Sequence, residues 1–193
     1  MKKLLGLLAL AACTGIPADS PISPEVVELV TISGGGTCTA FPVAQGRGKT
    51  YYLTAKHCTP AALVGGKAVG EIYLHPTRDV AMLVVESEES VFCLPLASEK
   101  PAPGDVLFAI GFHLGDFPLV TQGYAGGLEG QMSAPVIWGA SGGPVLNAEG
   151  EVVGVLSWGW MVELNNWTYV PVTHIAGYAP YDDVSEWVHG LLF

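Results

Sequence analysis

A serine surrounded by small residues is the clearest chemical feature of the chain. Residues 138–144 read Trp-Gly-Ala-Ser-Gly-Gly-Pro and place Ser141 at their centre. A serine hydroxyl becomes a useful nucleophile only when a base lies within hydrogen-bond distance. It also needs N–H donors aimed at the carbonyl oxygen that becomes negative during attack. Glycines allow the tight turns that aim two amides at one point, but such a run alone is more often an ordinary turn.

Three other segments contain the groups that this chemistry needs. Residues 53–58 (Leu-Thr-Ala-Lys-His-Cys) contain His57, and residues 78–83 (Arg-Asp-Val-Ala-Met-Leu) place Asp79 before an apolar run. Ser-Trp-Gly follows at residues 157–159. With these segments in this order, the chain resembles the chymotrypsin-like serine proteases from about residue 30 to residue 193. The short distance from His57 to Asp79 is similar to that of compact bacterial or viral members.

The resemblance implies a catalytic role for each of these residues. His57 is the base that takes the proton of Ser141, and Asp79 orients and stabilises its imidazole. The backbone N–H groups of Gly139 and Ser141 form the oxyanion hole. Ser157 supports Asp79 through its hydroxyl. These roles define a serine endopeptidase that acts through an acyl-enzyme intermediate.

Residues on both sides of the nucleophile are expected to bind the substrate: Pro135, Val136, Trp138, Ser157, Trp158 and Gly159. In the family, the position of Pro135 lies at the base of the specificity pocket, where an acidic residue selects Arg or Lys. Leu156 replaces the histidine that glutamate-specific relatives carry. Because an uncharged pocket leaves a buried charge unpaired, we expect cleavage after uncharged apolar or small residues.

The residue before the nucleophile bears on activation. In digestive-type members it is an aspartate that pairs with a newly exposed N-terminus, whereas here it is Ala140. We therefore expect that the protein is not a zymogen. Its oxyanion loop is then ordered by other contacts, such as those of Trp138 and the turn at Gly142 and Gly143, or by substrate.

Two other functions are compatible with the same residues. One is a catalytically silent binding module on a protease fold, and the other is an esterase that uses the same triad. Family members without catalytic activity usually lack one of the triad residues or the oxyanion glycine, whereas this chain has all of them.

Composition predicts an all-β fold. The chain has 193 residues, 25 of them glycine and 14 proline, and half of them apolar, which is typical of short strands joined by tight turns. The resemblance implies two six-stranded antiparallel β-barrels and a C-terminal α-helix. We assign the first barrel to residues 26–96, a connection to 97–105, the second barrel to 106–181 and the helix to 182–193.

The N-terminus is predicted to be an export signal. Residues 1–12 combine two lysines with a nine-residue apolar run that is too short to span a bilayer. Leu-Ala-Ala-Cys at residues 10–13 is similar to a bacterial lipobox, which implies lipidation at Cys13 and a cell-envelope lipoprotein. The alternative is a secreted protein cleaved after Ala11. Residues 13–25 contain three prolines and are expected to form an extended tether.

The chain has four cysteines, and the resemblance implies a disulfide between Cys38 and Cys58. Two buried free thiols are the alternative. Cys93 is expected to be a free thiol if Cys13 carries lipid, and to bridge to Cys13 if it does not. No cysteine or histidine spacing indicates a metal site.

The net charge of −10 argues against nucleic acid as a partner. We expect a protein or peptide substrate, no cofactor, a monomer, and membrane attachment only through lipid on Cys13.

The lipobox makes a testable prediction. The mature N-terminal peptide should carry diacylglycerol and acyl mass on Cys13, measured by mass spectrometry, and the protein should partition into detergent. An unmodified N-terminus at Ala12 or Cys13, with a disulfide from Cys13 to Cys93, contradicts the lipoprotein interpretation.

Overall fold

The computed structural model describes residues 22–165 and 168–192, with side chains at all of these except 159–175 and 181–183. Two six-stranded β units follow each other along the chain, and a helix comes last. This confirms the expected all-β fold with a C-terminal helix.

The first unit is a closed barrel with strand order β1-β2-β3-β6-β5-β4. Its strands are β1 (Glu28–Ile32), β2 (Thr37–Gly46), β3 (Lys49–Thr54), β4 (Ala61–Val64), β5 (Lys67–Leu74) and β6 (Ala81–Glu86). Arg47 and Gly48 join β2 to β3 with φ angles of 55° and 72°. Positive φ at both positions is the requirement of a type I′ hairpin turn, and the loop is two residues long.

The second unit is a six-stranded sheet with order β8-β7-β10-β11-β12-β9. Its strands are β7 (Val106–His113), β8 (Phe117–Tyr124), β9 (Gln131–Met132), β10 (Pro144–Leu146), β11 (Val152–Asn165) and β12 (Thr168–Pro180). The two edges of the sheet meet where Ala125 pairs with Met132 beyond the end of β8. The sheet therefore curves round towards a barrel.

Helix α1 (Tyr181–Leu192) begins one residue before the predicted start at residue 182. Val184 and Val188, four positions apart, are each 1% exposed and fix the buried face of the helix. The predicted last residue, Phe193, lies outside the described residues. Within the described part of the chain, no helix has the length and apolar character needed to cross a membrane.

Three buried apolar clusters hold the molecule together. One fills the first barrel around Val30, Tyr52 and Leu83, and another fills the second around Leu107 and Leu156. The third, which we call the shared core, contains residues from both units and from α1: Val26, Val27, Phe41, Leu53, Val80, Met82, Leu94, Ile110, Leu146, Val152, Val155, Ala179, Val184 and Val188. Strands β2 and β6 bury runs of consecutive side chains, so both faces of these strands are covered along those runs.

Cys38 and Cys58 form the expected disulfide, with their Cα atoms 6.1 Å apart. Cys93 is also disulfide-bonded. This differs from the expectation that Cys93 is a free thiol if Cys13 carries lipid. The partner of Cys93 and the proposed lipid site Cys13 lie outside the described residues, as does the predicted signal segment.

Candidate active site

His57 lies in a single 3-10 turn, Lys56–Cys58, directly after β3. The disulfide at Cys58 ties this turn to β2. The backbone N–H of His57 donates to Asp79 Oδ1 at 2.9 Å, and its ring Nδ1 lies 2.7 Å from Asp79 Oδ2. Two contacts to one carboxylate fix both the position and the plane of the imidazole, and they leave Nε2 as the proton-accepting nitrogen.

Asp79 precedes β6 and accepts a third hydrogen bond, from the hydroxyl of Ser157 on β11. Burial alone raises the pKa of Asp79, but the hydrogen bonds from the His57 ring, the Ser157 hydroxyl and the His57 amide outweigh burial and lower this pKa to about 2. Hydrogen bonds to the charged form of a carboxyl group have this effect. Asp79 is therefore ionised at neutral pH.

His75 holds the turn that leads to Asp79, a role that the sequence did not reveal. Its imidazole is 4% exposed, and its Nδ1 accepts hydrogen bonds from the amides of Thr77 (3.3 Å) and Arg78 (3.0 Å). The ring also meets the Trp187 ring of α1 edge-on, at a centroid distance of 5.1 Å. The local sequence signal of such a turn is Pro76, which directly follows His75 and lies three residues before Asp79.

Ser141 lies in the loop between β9 and β10, so it belongs to the second unit, whereas His57 belongs to the first. Its carbonyl oxygen accepts from the Thr39 amide at 2.8 Å and lies 3.8 Å from Cys58 Sγ. That sulfur is within 4.8 Å of a ring nitrogen of His57. Among the described residues, the Ser141 hydroxyl makes no hydrogen bond to His57. Such catalytic contacts often tighten only in the complex with substrate.

The backbone around Ser141 leaves two amides without partners. The amides of Ala140, Gly142 and Gly143 donate to Ile137 O, Leu156 O and Ala140 O. Within the described part of the chain, the amides of Gly139 and Ser141 donate to nothing. These two N–H groups are the ones that the resemblance assigns to the oxyanion hole.

Gly139 is required by the shape of this loop. Its φ is +91°, and a Cβ added to it would lie 2.2 Å from the carbonyl oxygen of Phe112. Any side chain here would meet both backbone strain and a direct clash.

Beside Ser141 lies a cleft of about 60 Å³, lined by Val136, Ile137, Trp138, Ser141, Leu156, Ser157 and Trp158. Four of the predicted substrate-binding residues are thus brought together. Pro135 is not among the described residues that line the cleft, and the role of Gly159 stays a prediction. Trp138 and Trp158 remain 55% and 43% exposed at its rim.

Cys38, His57 and Cys58 are the one group of metal-ligand types that the described residues bring together. Two of the three are joined in a disulfide and the ring Nδ1 of the third is bonded to Asp79, which leaves His57 Nε2 as the one nitrogen donor of this group.

A closed six-stranded barrel beside a second six-stranded sheet, with His57 and Asp79 on the first and Ser141 on the second, defines a chymotrypsin-like double-barrel protein. The chain belongs to the trypsin-like peptidase family, because the model for the trypsin-like peptidase domain matches residues 37–155, more than half of it.

Several of the relatives carry peptidase or protease names. An "Uncharacterized peptidase" of Corynebacterium glutamicum (strain R) is 27% identical over 90% of this chain and 73% of its own length. "Putative serine protease HhoB" of Synechocystis sp. is 31% identical over 71% of this chain. The chain spans 36% of the length of HhoB and about a quarter of other curated relatives that it matches.

The crystal structure of the Rv3671c protease of M. tuberculosis H37Rv, in its inactive form, superposes with a TM-score of 0.66. The match covers 88% of this chain and 90% of that one at 17% identity, and it supports the fold.

The lowered pKa of Asp79 predicts a pH dependence of stability. The folded value of about 2 lies below the ordinary value of 3.8, so the ionised group stabilises the folded state above pH 3.8, and this stabilisation disappears as the pH falls towards 2. Wild type should exceed Asp79→Asn in free energy of unfolding near neutral pH, and the difference should shrink across that acid window. Urea unfolding of both proteins as a function of pH measures it. A difference that stays constant down to the lower limit contradicts the assignment.

Proposed function

We propose that this protein is a serine endopeptidase that uses His57, Asp79 and Ser141 as its catalytic triad. The observation that carries the proposal is the bidentate contact between Asp79 and His57, set beside a serine whose loop has two unpartnered amides. Family membership supports a peptidase, and this geometry supports the residue roles.

In the proposed mechanism, the Ser141 hydroxyl attacks the carbonyl carbon of the scissile peptide bond. His57 Nε2 takes the hydroxyl proton as the Oγ–C bond forms, and it then gives the proton to the amine as the C–N bond breaks. Water repeats the sequence on the resulting ester and releases the acid. Asp79, which stays anionic, stabilises the imidazolium that forms in both steps.

The negative oxygen that develops in each step is stabilised by the amides of Gly139 and Ser141. Since these amides have no other partner, they need no rearrangement to donate to the new charge. Each such donor contributes roughly 10²–10³ in rate in other serine proteases.

The cleft beside Ser141 supports specificity for uncharged residues. Val136 and Leu156 are buried and aliphatic, and no charged side chain lines the cleft among the described residues. A volume of about 60 Å³ is small and favours small or apolar side chains. The exposed indoles of Trp138 and Trp158 supply apolar surface for neighbouring residues of the substrate.

A silent binding module is the second candidate. It is favoured by one observation, the missing hydrogen bond between the Ser141 hydroxyl and His57. An esterase with the same triad differs from a peptidase in hydrolysing ester but not amide substrates.

We further propose that the protein acts outside the cytoplasm as a monomer. The Cys38–Cys58 disulfide supports the location outside the cytoplasm, because structural disulfides persist in oxidising compartments. The disulfide at Cys93 favours the secreted form over the lipoprotein, since a lipidated Cys13 has no thiol for a bridge.

The triad predicts strongly non-additive losses. Ser141→Ala and His57→Ala should each lower kcat/KM on a peptide substrate by about 10⁴-fold or more, and the double variant should lose little beyond either one. Ser98→Ala, at an exposed serine on the connecting segment, should retain wild-type activity.

A fluorophosphonate probe separates the candidates. Labelling of the wild type and Ser98→Ala, but not of Ser141→Ala, supports an active nucleophile. A folded wild type that neither reacts with the probe nor cleaves a peptide is the outcome expected of a binding module.

The cleft predicts a substrate profile. Digestion of a peptide library, with Ser141→Ala as the blank, should show cleavage after uncharged small or apolar residues, because a charged side chain would be buried there without a partner. A profile dominated by Arg, Lys or Glu would refute this assignment.

A further inference from the structure

We propose that Thr39, on β2 of the first barrel, is a positioning residue that holds the two oxyanion amides in their working orientation. This inference rests on the proposed function, and it assigns the site a residue that lies outside the triad and the substrate cleft. It also explains how the oxyanion loop is ordered although Ala140 precedes the nucleophile.

Thr39 is completely buried, and every polar group it has is used. Its amide donates to Ser141 O at 2.8 Å, and its hydroxyl donates to Gly139 O at 2.8 Å. The same hydroxyl accepts from the Phe112 amide at 2.9 Å, and its carbonyl oxygen accepts from the Thr54 hydroxyl at 2.7 Å. One residue thus joins β2 and β3 to β7 and to the loop of the nucleophile.

The bonds made by Thr39 fall on the carbonyls of the two residues whose amides form the oxyanion hole. A peptide unit is planar, so a carbonyl held at one edge fixes the orientation of the whole unit. Thr39 holds the unit that follows Gly139 and the unit that follows Ser141. The conformation of each donor residue is therefore fixed on its C-terminal side by the first barrel.

The units on the N-terminal side are held from within the second β unit. The Leu114 amide donates to Trp138 O at 2.7 Å, and the Gly143 amide donates to Ala140 O at 3.0 Å. Because C=O and N–H point in opposite directions in a trans unit, these bonds turn the amides of Gly139 and Ser141 the other way, where they have no partner. With both neighbouring units fixed, each donor amide has one orientation.

A hydroxyl is needed at position 39. The Thr39 hydroxyl accepts from the Phe112 amide and donates to the Gly139 carbonyl, and the Thr39 side chain is shielded from solvent. A methyl group of the same size satisfies neither, and two buried polar groups without partners drive the loop to rearrange. Ala140, which is 0% exposed, carries no group that could replace the bond.

The test compares Thr39→Val with Thr39→Ser and with Thr50→Val. Thr39→Val keeps the shape of the side chain and removes its hydroxyl, whereas Thr39→Ser keeps the hydroxyl. Thr50 is a matched control, because it is also a fully buried threonine, on β3, but among the described residues its hydroxyl is hydrogen-bonded only to Gln45. For Thr39→Val we expect kcat to fall about 10²-fold, the size of a lost oxyanion donor, with KM changed less than about threefold. Thr39→Ser and Thr50→Val should remain within about threefold of wild type in kcat.

A second readout does not depend on activity. In ¹H–¹⁵N spectra, Thr39→Val should shift or broaden the amide signals of Gly139 and Ser141, whereas Thr50→Val should leave them unchanged. Unchanged signals in Thr39→Val overturn the proposal, as does an equal loss of kcat in both valine variants at equal stability. If the wild type itself is inactive, the proposed function fails, and the amide signals still decide the role of Thr39.

Discussion

The shared core between the two β units is the constraint on which the site depends. His57 and Asp79 belong to the first unit and Ser141 to the second, so neither unit contains a complete site. Their relative position is set by apolar side chains from both, such as Phe41 and Leu146, which are fully buried in the same cluster. Burial of this kind is strong but non-directional, so it brings the units together without fixing atoms to the accuracy that proton transfer needs.

Directional bonds across the same junction supply that accuracy. Ser157 on β11 donates to Asp79, and Thr39 on β2 reaches the loop of the nucleophile. Each bond has one partner on either unit, so both exist only when the shared core is correctly packed. Apolar burial therefore provides the stability of the junction, and a small number of buried polar contacts provide its register.

Features that depend on neighbouring residues could be predicted from the sequence. The segments around His57, Asp79 and Ser141, most of the strands and the amphipathic end of the chain were all recognisable. Strand β4 leaves only a weak sequence pattern, because it has four residues and one of its apolar side chains, Leu63, is exposed. The role of Thr39 could not be predicted, because its hydroxyl meets a carbonyl 100 positions away and such a contact leaves no periodic signal. Pro135 was assigned by family position, and its role in substrate binding stays a prediction.

The contact between His75 and Trp187 has a consequence for the order in which the molecule is completed. Helix α1 follows all twelve strands, so a ribosome makes Trp187 last among the residues that support the site. Until α1 docks, the turn before Asp79 lacks one wall of its packing. A chain that ends before α1 would therefore contain His57, Asp79 and Ser141 and still lack the ring that packs against His75 in this turn. Completion of the site depends on the helix as well as on the strands that position these three residues.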